Sequence, residues 1–175
     1  TEPDHICGVN GDCGRFVELW NLVFIQYNRT ASGALEPLPA KHVDTGAGFE
    51  RLVALLQGVE SNYETDLFVP VLERVRKIAG HSPAEMQEHK VAYRVIADHG
   101  RAITFLIGDG VLPGNEGRNY VLRMVLRRAV RFGRALGLTE PFLARVAEAV
   151  IETMGGHYPE LSARRQFILT TITQE

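Results

Sequence analysis

Apolar positions change their spacing at about residues 58–64 of this 175-residue chain. Ahead of that point, 15–29 (RFVELWNLVFIQYNR) mixes β-branched and aromatic residues and predicts a strand. Residues of one parity share a strand face, which sets Glu18, Trp20 and Leu22 opposite Leu19, Asn21 and Val23. Residues 30–39 hold Ser32-Gly33 and two prolines, and predict a hairpin or a longer connection. A second short strand is expected at 41–44, then a glycine turn, then a helix over 50–57 that stops at Gly58. Beyond it the spacing becomes helical. Helices are predicted at 66–79, with Asp66 as N-cap and Pro70 in the first turn, at 91–107, 119–136, 141–154 and 159–174. A tight loop spans 108–117, and no internal repeat or low-complexity tract interrupts the pattern. The expected fold class is α+β: a strand-bearing part, 1–58, followed by an all-α part, 59–175.

The helix at 119–136 carries the strongest pattern. Advancing about 100° per residue places Val121, Leu122, Val125, Leu126, Ala129, Phe132 and Leu136 on one broad apolar face. Arg123, Arg127, Arg131 and Arg134 form a line on the other, with Arg128 at its edge. From Arg118 to Arg134 there are six arginines and no acid. Like charges at this spacing repel by a few tenths of a kcal/mol per pair, roughly, and a face that needed only solvation would mix in glutamates. Two readings stand. The stripe is an anion-binding surface for phosphate or RNA, or it is a polar face whose arginines pair with acids on neighbouring helices such as Glu148 and Glu152. The preceding loop adds Asn115, Glu116, Arg118 and Asn119. Asparagine can read base edges and arginine can hold phosphate, which suits the accessible minor groove of an A-form stem.

Overall charge adds little, because the net value is −2 with 45% hydrophobic and 23% charged residues, as in ordinary globular proteins. Its distribution matters more: residues 1–50 hold seven acids against three bases. Cys7 and Cys13 have only His5 nearby, too few ligands for a structural zinc, so no zinc is expected and reduced cytosolic thiols are the default. No apolar run approaches the roughly 18 residues of a membrane span, and the first residues lack the features of a signal peptide. The chain lacks an initiator Met and reads as a piece of something longer.

The glycine turn is the second candidate site. In Val43-Asp44-Thr45-Gly46-Ala47-Gly48-Phe49-Glu50-Arg51-Leu52, glycines would let backbone approach a ligand or turn with positive φ. Arg51 supplies a planar cation and Asp44 an anion, so the segment suits a ligand that carries both charges.

Several of these segments together resemble alanyl-tRNA synthetases, of class II. The carriers are Val17-Glu18-Leu19-Trp20-Asn21-Leu22-Val23-Phe24, Leu35-Glu36-Pro37-Leu38-Pro39, VDTGAGFERL and Ser61-Asn62-Tyr63-Glu64. Arg94-Val95-Ile96-Ala97-Asp98-His99, Gly108-Asp109-Gly110-Val111-Leu112-Pro113-Gly114-Asn115-Glu116 and Arg127-Arg128-Ala129-Val130-Arg131 complete the series, in order, over about 15–140. VDTGAGFERL resembles the third class II signature, except that Asp44 replaces one of its glycines; in the alanine type that carboxylate can hold the substrate ammonium.

The resemblance implies the carboxy-terminal edge of a class II antiparallel sheet at 1–58, ending the catalytic domain, and part of a helical tRNA-recognition domain at 59–175. It implies an ATP-dependent alanine–tRNA ligase, with alanine, ATP accompanied by Mg²⁺ and the acceptor stem of tRNA(Ala) as partners, in the cytoplasm. Asn21, Asp44 and Gly46 would serve the amino acid, and Gly48 and Arg51 the ATP. Asn115 and Arg127 would lie near a G·U pair of the acceptor stem. Arg118, Arg123, Arg128 and Arg131 would serve phosphates or the fold. No catalytic nucleophile is implied. The family's first two signature motifs have no counterpart in the chain, so 1–175 alone is expected to be inactive. A non-catalytic RNA-binding module derived from a synthetase is the alternative.

Overall fold

The computed structural model describes residues 8–9 and 14–175; Cys7, Cys13 and His5, on which zinc binding turned, lie outside the described residues. Among the described residues the fold is α+β, with a two-stranded antiparallel sheet and eight α-helices. It comprises two compact units, divided between Asn62 and Tyr63.

The first unit contains β1 (Trp20–Arg29), β2 (Leu35–Ala47) and α1 (Phe49–Gln57). β1 begins five residues later than its composition suggests, and β2 extends well beyond 41–44. Pro37 and Pro39 fall inside β2 because the ladder tolerates residues without an N–H only at edges and irregularities. There the register slips, from Ile25 opposite His42 to Tyr27 opposite Pro37. The turn is tight: Gly33 N–H donates to Thr30 O and Thr30 N–H to Ala34 O, both at 2.9 Å, with Gly33 in the left-handed region. α1 stops at Gly58, whose positive φ lets its N–H return to the last turn.

The second unit is helical: α2 (Val69–Ala79), α3 (Pro83–Glu88), α4 (Lys90–Gly108), α5 (Gly117–Ala135), α6 (Leu143–Met154), α7 (Pro159–Ala163) and α8 (Arg165–Gln174). α4 runs through its middle and touches each of the other six helices. Tyr93, Ile96, Ile103 and Ile107 of α4 are fully buried with Leu122, Val146, Val150, Leu161 and Ile168 around them. Gly100 lets α6 come close, since a Cβ there would lie 2.8 Å from Val146 Cγ1.

In the helical unit four details depart from the sequence expectations. α2 begins at Val69, not after Asp66, because a proline without an N–H is favoured at the very start of a helix and Pro70 fixes that start. The segment 159–174 is two helices, broken at Arg164, whose guanidinium donates to Gly108 O at 2.7 Å. α3 was not foreseen, although Ser82-Pro83-Ala84-Glu85 spells its capping box: Ser82 N–H donates to the Glu85 carboxylate and Glu85 N–H to Ser82 Oγ. On α5, Leu122, Leu126 and Ala129 are buried as the helical projection places them and Gly133 joins them, whereas Val121 is exposed.

Candidate functional site

The sheet gathers three of the predicted residues. Asn21 pairs with Gly46 and Val23 with Asp44 across the ribbon, so Asn21, Gly46 and Asp44 lie on one face as direct and diagonal neighbours. Gly46 is needed there for space and not for backbone conformation: its φ is not positive, and a Cβ would sit 3.0 Å from Asn21 Oδ1. Asn21 Nδ2 donates to Glu18 Oε1 at 2.8 Å. Glu18 reaches this face because it precedes the strand and escapes its alternation; the sequence had set it opposite Asn21. Asp44 Oδ1 accepts from the N–H of Thr45 at 2.8 Å.

At the end of the ribbon Gly48 N–H donates to Leu19 O at 2.9 Å and caps α1 without a side chain. Arg51, in the first turn, donates from Nη1 to Glu18 O at 2.7 Å, and its Cδ would lie 3.0 Å from a Cβ at Gly48. Arg51 and Asp44 form no ion pair with each other; each is tied to backbone. A cation and an anion are thus held near one ribbon end without neutralising one another. That suits a ligand bearing both signs of charge.

The second cluster lies on α5 and the loop before it. Arg118, Arg127, Arg128, Arg131 and Arg134 are exposed, and among the described residues no acid pairs with them. The acids proposed as their partners are taken: Glu152 by Arg74 at 2.7 Å, and Glu148 by Arg165 and more distantly by Arg74. Arg128 lies over the Phe132 ring, 5.9 Å from its centroid. Arg123 differs from the rest. Its Nε and Nη2 hold Glu175 at 2.6 and 2.9 Å, and Nη1 donates to Asn115 Oδ1. That bond pulls the Glu175 carboxyl below the ordinary glutamate range, with the charge of Arg127 adding to it, and raises the Arg123 guanidinium.

Tyr120 and Met124 also reach this surface. Both are about half exposed. On α5 they continue the outward line of Arg127 and Arg131 at intervals of four, three and four. The loop that carries Asn115 is fixed at both ends: Arg164 holds Gly108 O, and Gly114 N–H donates to Asn119 O at 3.1 Å. Among the described residues no group of three His, Cys, Asp or Glu side chains could hold a metal ion, and no helix is long and apolar enough to cross a membrane.

Comparison with known proteins supplies the remaining findings. The family profile described as tRNA synthetases class II (A) matches residues 4–175. The chain is 52% identical over 173 residues to the alanine–tRNA ligase of Desulfosudis oleivorans, covering 99% of the chain and 20% of that relative. It is 54% identical over 169 residues to that of an Anaeromyxobacter species, covering 96% and 19%. For the Thermotoga maritima ligase the identity is 56% over 148 residues, covering 85% and 17%. The chain therefore spans about 20% of the length of the curated relatives it matches.

Proposed function

The chain belongs to the alanyl-tRNA synthetases, within the class II (A) tRNA synthetases, and from that premise we propose that it is the part of an alanine–tRNA ligase that joins the end of the amino acid and ATP site to the start of the acceptor-stem interface. The observation that carries the first half is the shared face of Asn21, Gly46 and Asp44. Asp44 would accept the ammonium of alanine. Asn21, steadied by Glu18, would bound the small side chain or donate to the carboxylate. Gly46 keeps that surface open, and Gly48 with Arg51 would meet ATP, Arg51 at the γ-phosphate or the adenine.

In this reading an alanine carboxylate oxygen attacks the α-phosphate of ATP, pyrophosphate leaves, and a terminal ribose hydroxyl of tRNA then takes the acyl group and releases AMP. Both steps are displacements, served by positioning and charge and needing no protein nucleophile. Mg²⁺ accompanying ATP would neutralise phosphate charge. In this reading residues 1–58 form the edge of the class II sheet. The exposed Trp20, Leu22 and Phe24, on the ribbon face opposite Asn21, Gly46 and Asp44, support it, since an apolar sheet face is built to be covered.

Residues 59–175 would begin the tRNA-recognition domain. Arg118, Arg127, Arg128 and Arg131 are exposed and, among the described residues, form no salt bridge with an acid, and Asn115 stands at the head of the same helix. Asn115 and Arg127 would approach the G·U pair in the minor groove, and the other arginines would hold phosphates. The test is Asp44→Asn in the full-length synthetase that carries this segment. Removing one partner of a desolvated ion pair costs about 3–5 kcal/mol, so alanine-dependent pyrophosphate exchange should lose kcat/KM for alanine with the KM for ATP far less affected. Unchanged alanine kinetics would place Asp44 outside the amino acid site.

A further inference from the structure

Asn115 is an exposed loop residue, yet one end of its carboxamide is fixed. Arg123 approaches from nearly two turns inside α5 and donates Nη1–H to it, while the other side of the guanidinium grips both oxygens of Glu175. A guanidinium has donors only, so the Asn115 atom turned toward it must be the oxygen. The amide is planar, and its Nδ2 with two N–H donors therefore points away from Arg123. The fork is itself held in place: the Glu175 side chain is 13% exposed and that of Arg123 29%, so the pair is partly shielded from solvent. Three of the five Arg123 donors are engaged in this way, which sets it apart from Arg127 and Arg131 on the outward line of the helix.

We propose that Arg123 is a positioning residue that, anchored by Glu175, sets the Asn115 carboxamide with its N–H donors toward the RNA, so that Asn115 reads a hydrogen-bond acceptor in the minor groove. The acceptor that can tell the two pairs apart is the pyrimidine O2, which the wobble geometry of G·U places differently from that of G·C. Left free, the amide could rotate and offer oxygen or nitrogen with equal ease, and the contact would not discriminate. The proposal rests on the reading of Asn115 as an RNA contact.

The experiment uses the full-length synthetase and compares charging kcat/KM on tRNA carrying the G·U pair with that on tRNA carrying G·C at the same place. Four proteins are measured: the parent, Asn115→Ala, Arg123→Lys and the double variant. Lysine keeps the charge but cannot span Glu175 and Asn115 together. Asn115→Ala is expected to lower the ratio of the two substrates roughly tenfold, about the discrimination one well-placed polar contact supplies. Arg123→Lys should lower it as much, the double variant no further, and the salt dependence of KM for tRNA should stay as in the parent. Should Arg123→Lys prove unfolded by circular dichroism, Glu175→Gln takes its place, with a smaller loss expected that again vanishes in the Asn115→Ala background. A ratio that Arg123→Lys leaves intact, or losses that multiply in the double variant, overturns the positioning role and favours a direct phosphate contact. A ratio that Asn115→Ala leaves intact overturns the reading of Asn115 itself.

Discussion

Asp44, Gly46 and Asn21 meet through strand pairing, and each tolerates a different kind of change. At Gly46 the limit is space, because an added methyl would press on Asn21 Oδ1 at 3.0 Å. Gly46→Ala is therefore expected to turn Asn21 off Glu18 and, in the full-length synthetase, to lower kcat/KM for alanine while far-UV circular dichroism stays that of the parent. Unaltered alanine kinetics would show that the Asn21 carboxamide does not bound the site. Much at this scale was legible beforehand: the two-charge character of VDTGAGFERL is written in its residues, and the resemblance singled out Asp44. The role of Glu18 was not legible, because it depends on where β1 begins, and a strand start is set by pairing with β2, which composition does not encode. The engagement of Arg123 was hidden for a similar reason. Its partner Glu175 lies 52 positions away.

Elements were easier to read where period and cap agreed. α4 and α5 fall close to their predicted ranges, since long runs of helical spacing leave little choice. Composition predicts only 41–44 of β2 because its prolines look like breakers, and only the register shift explains their place. Acid pH gives a test at this scale. Glu73 is held below the ordinary glutamate value by its hydrogen bond from Arg76, Glu85 by the Ser82 backbone N–H and hydroxyl, and Glu175 by Arg123. A lowered folded-state pKa means stability that is present above the ordinary value and lost as pH falls through the folded one. The melting temperature of the chain should therefore drop as pH is lowered below about 4.5, the ordinary glutamate value, and Glu175→Gln should flatten part of that drop. An acid limb of the same slope in Glu175→Gln would show that the Arg123 pair contributes nothing to it. Surface pairs of this kind are individually small, so the slope is the quantity to read.

The whole chain joins two units of unlike make. The helical unit has a continuous core around α4, where Gly100→Ala should cost about 1–3 kcal/mol by overpacking against Val146. The ribbon has no comparable core: its residues are exposed along both strands apart from Leu38, and a lone strand pair is marginal in water. Hydrogen exchange on residues 1–175 should find α4 amides protected far longer than those of β1 and β2, and equal protection would contradict the description. Isolated 1–175 should also show no alanine-dependent ATP–pyrophosphate exchange, since the family's first two signature motifs have no counterpart in it. Exchange above a buffer blank, in protein free of host synthetase, would contradict that. In the proposed function the arginine face of α5 serves tRNA and leaves adenylate formation to the other unit. The measurement that tests it most directly is charging of G·U and G·C tRNAs by full-length Arg127 and Arg127→Ala enzymes, with pyrophosphate exchange in parallel. Arg127→Ala is expected to lose charging of the G·U tRNA while exchange persists, with a smaller loss on the G·C tRNA. Equal charging of the G·U tRNA by both enzymes would contradict it and leave α5 with a merely solvated face.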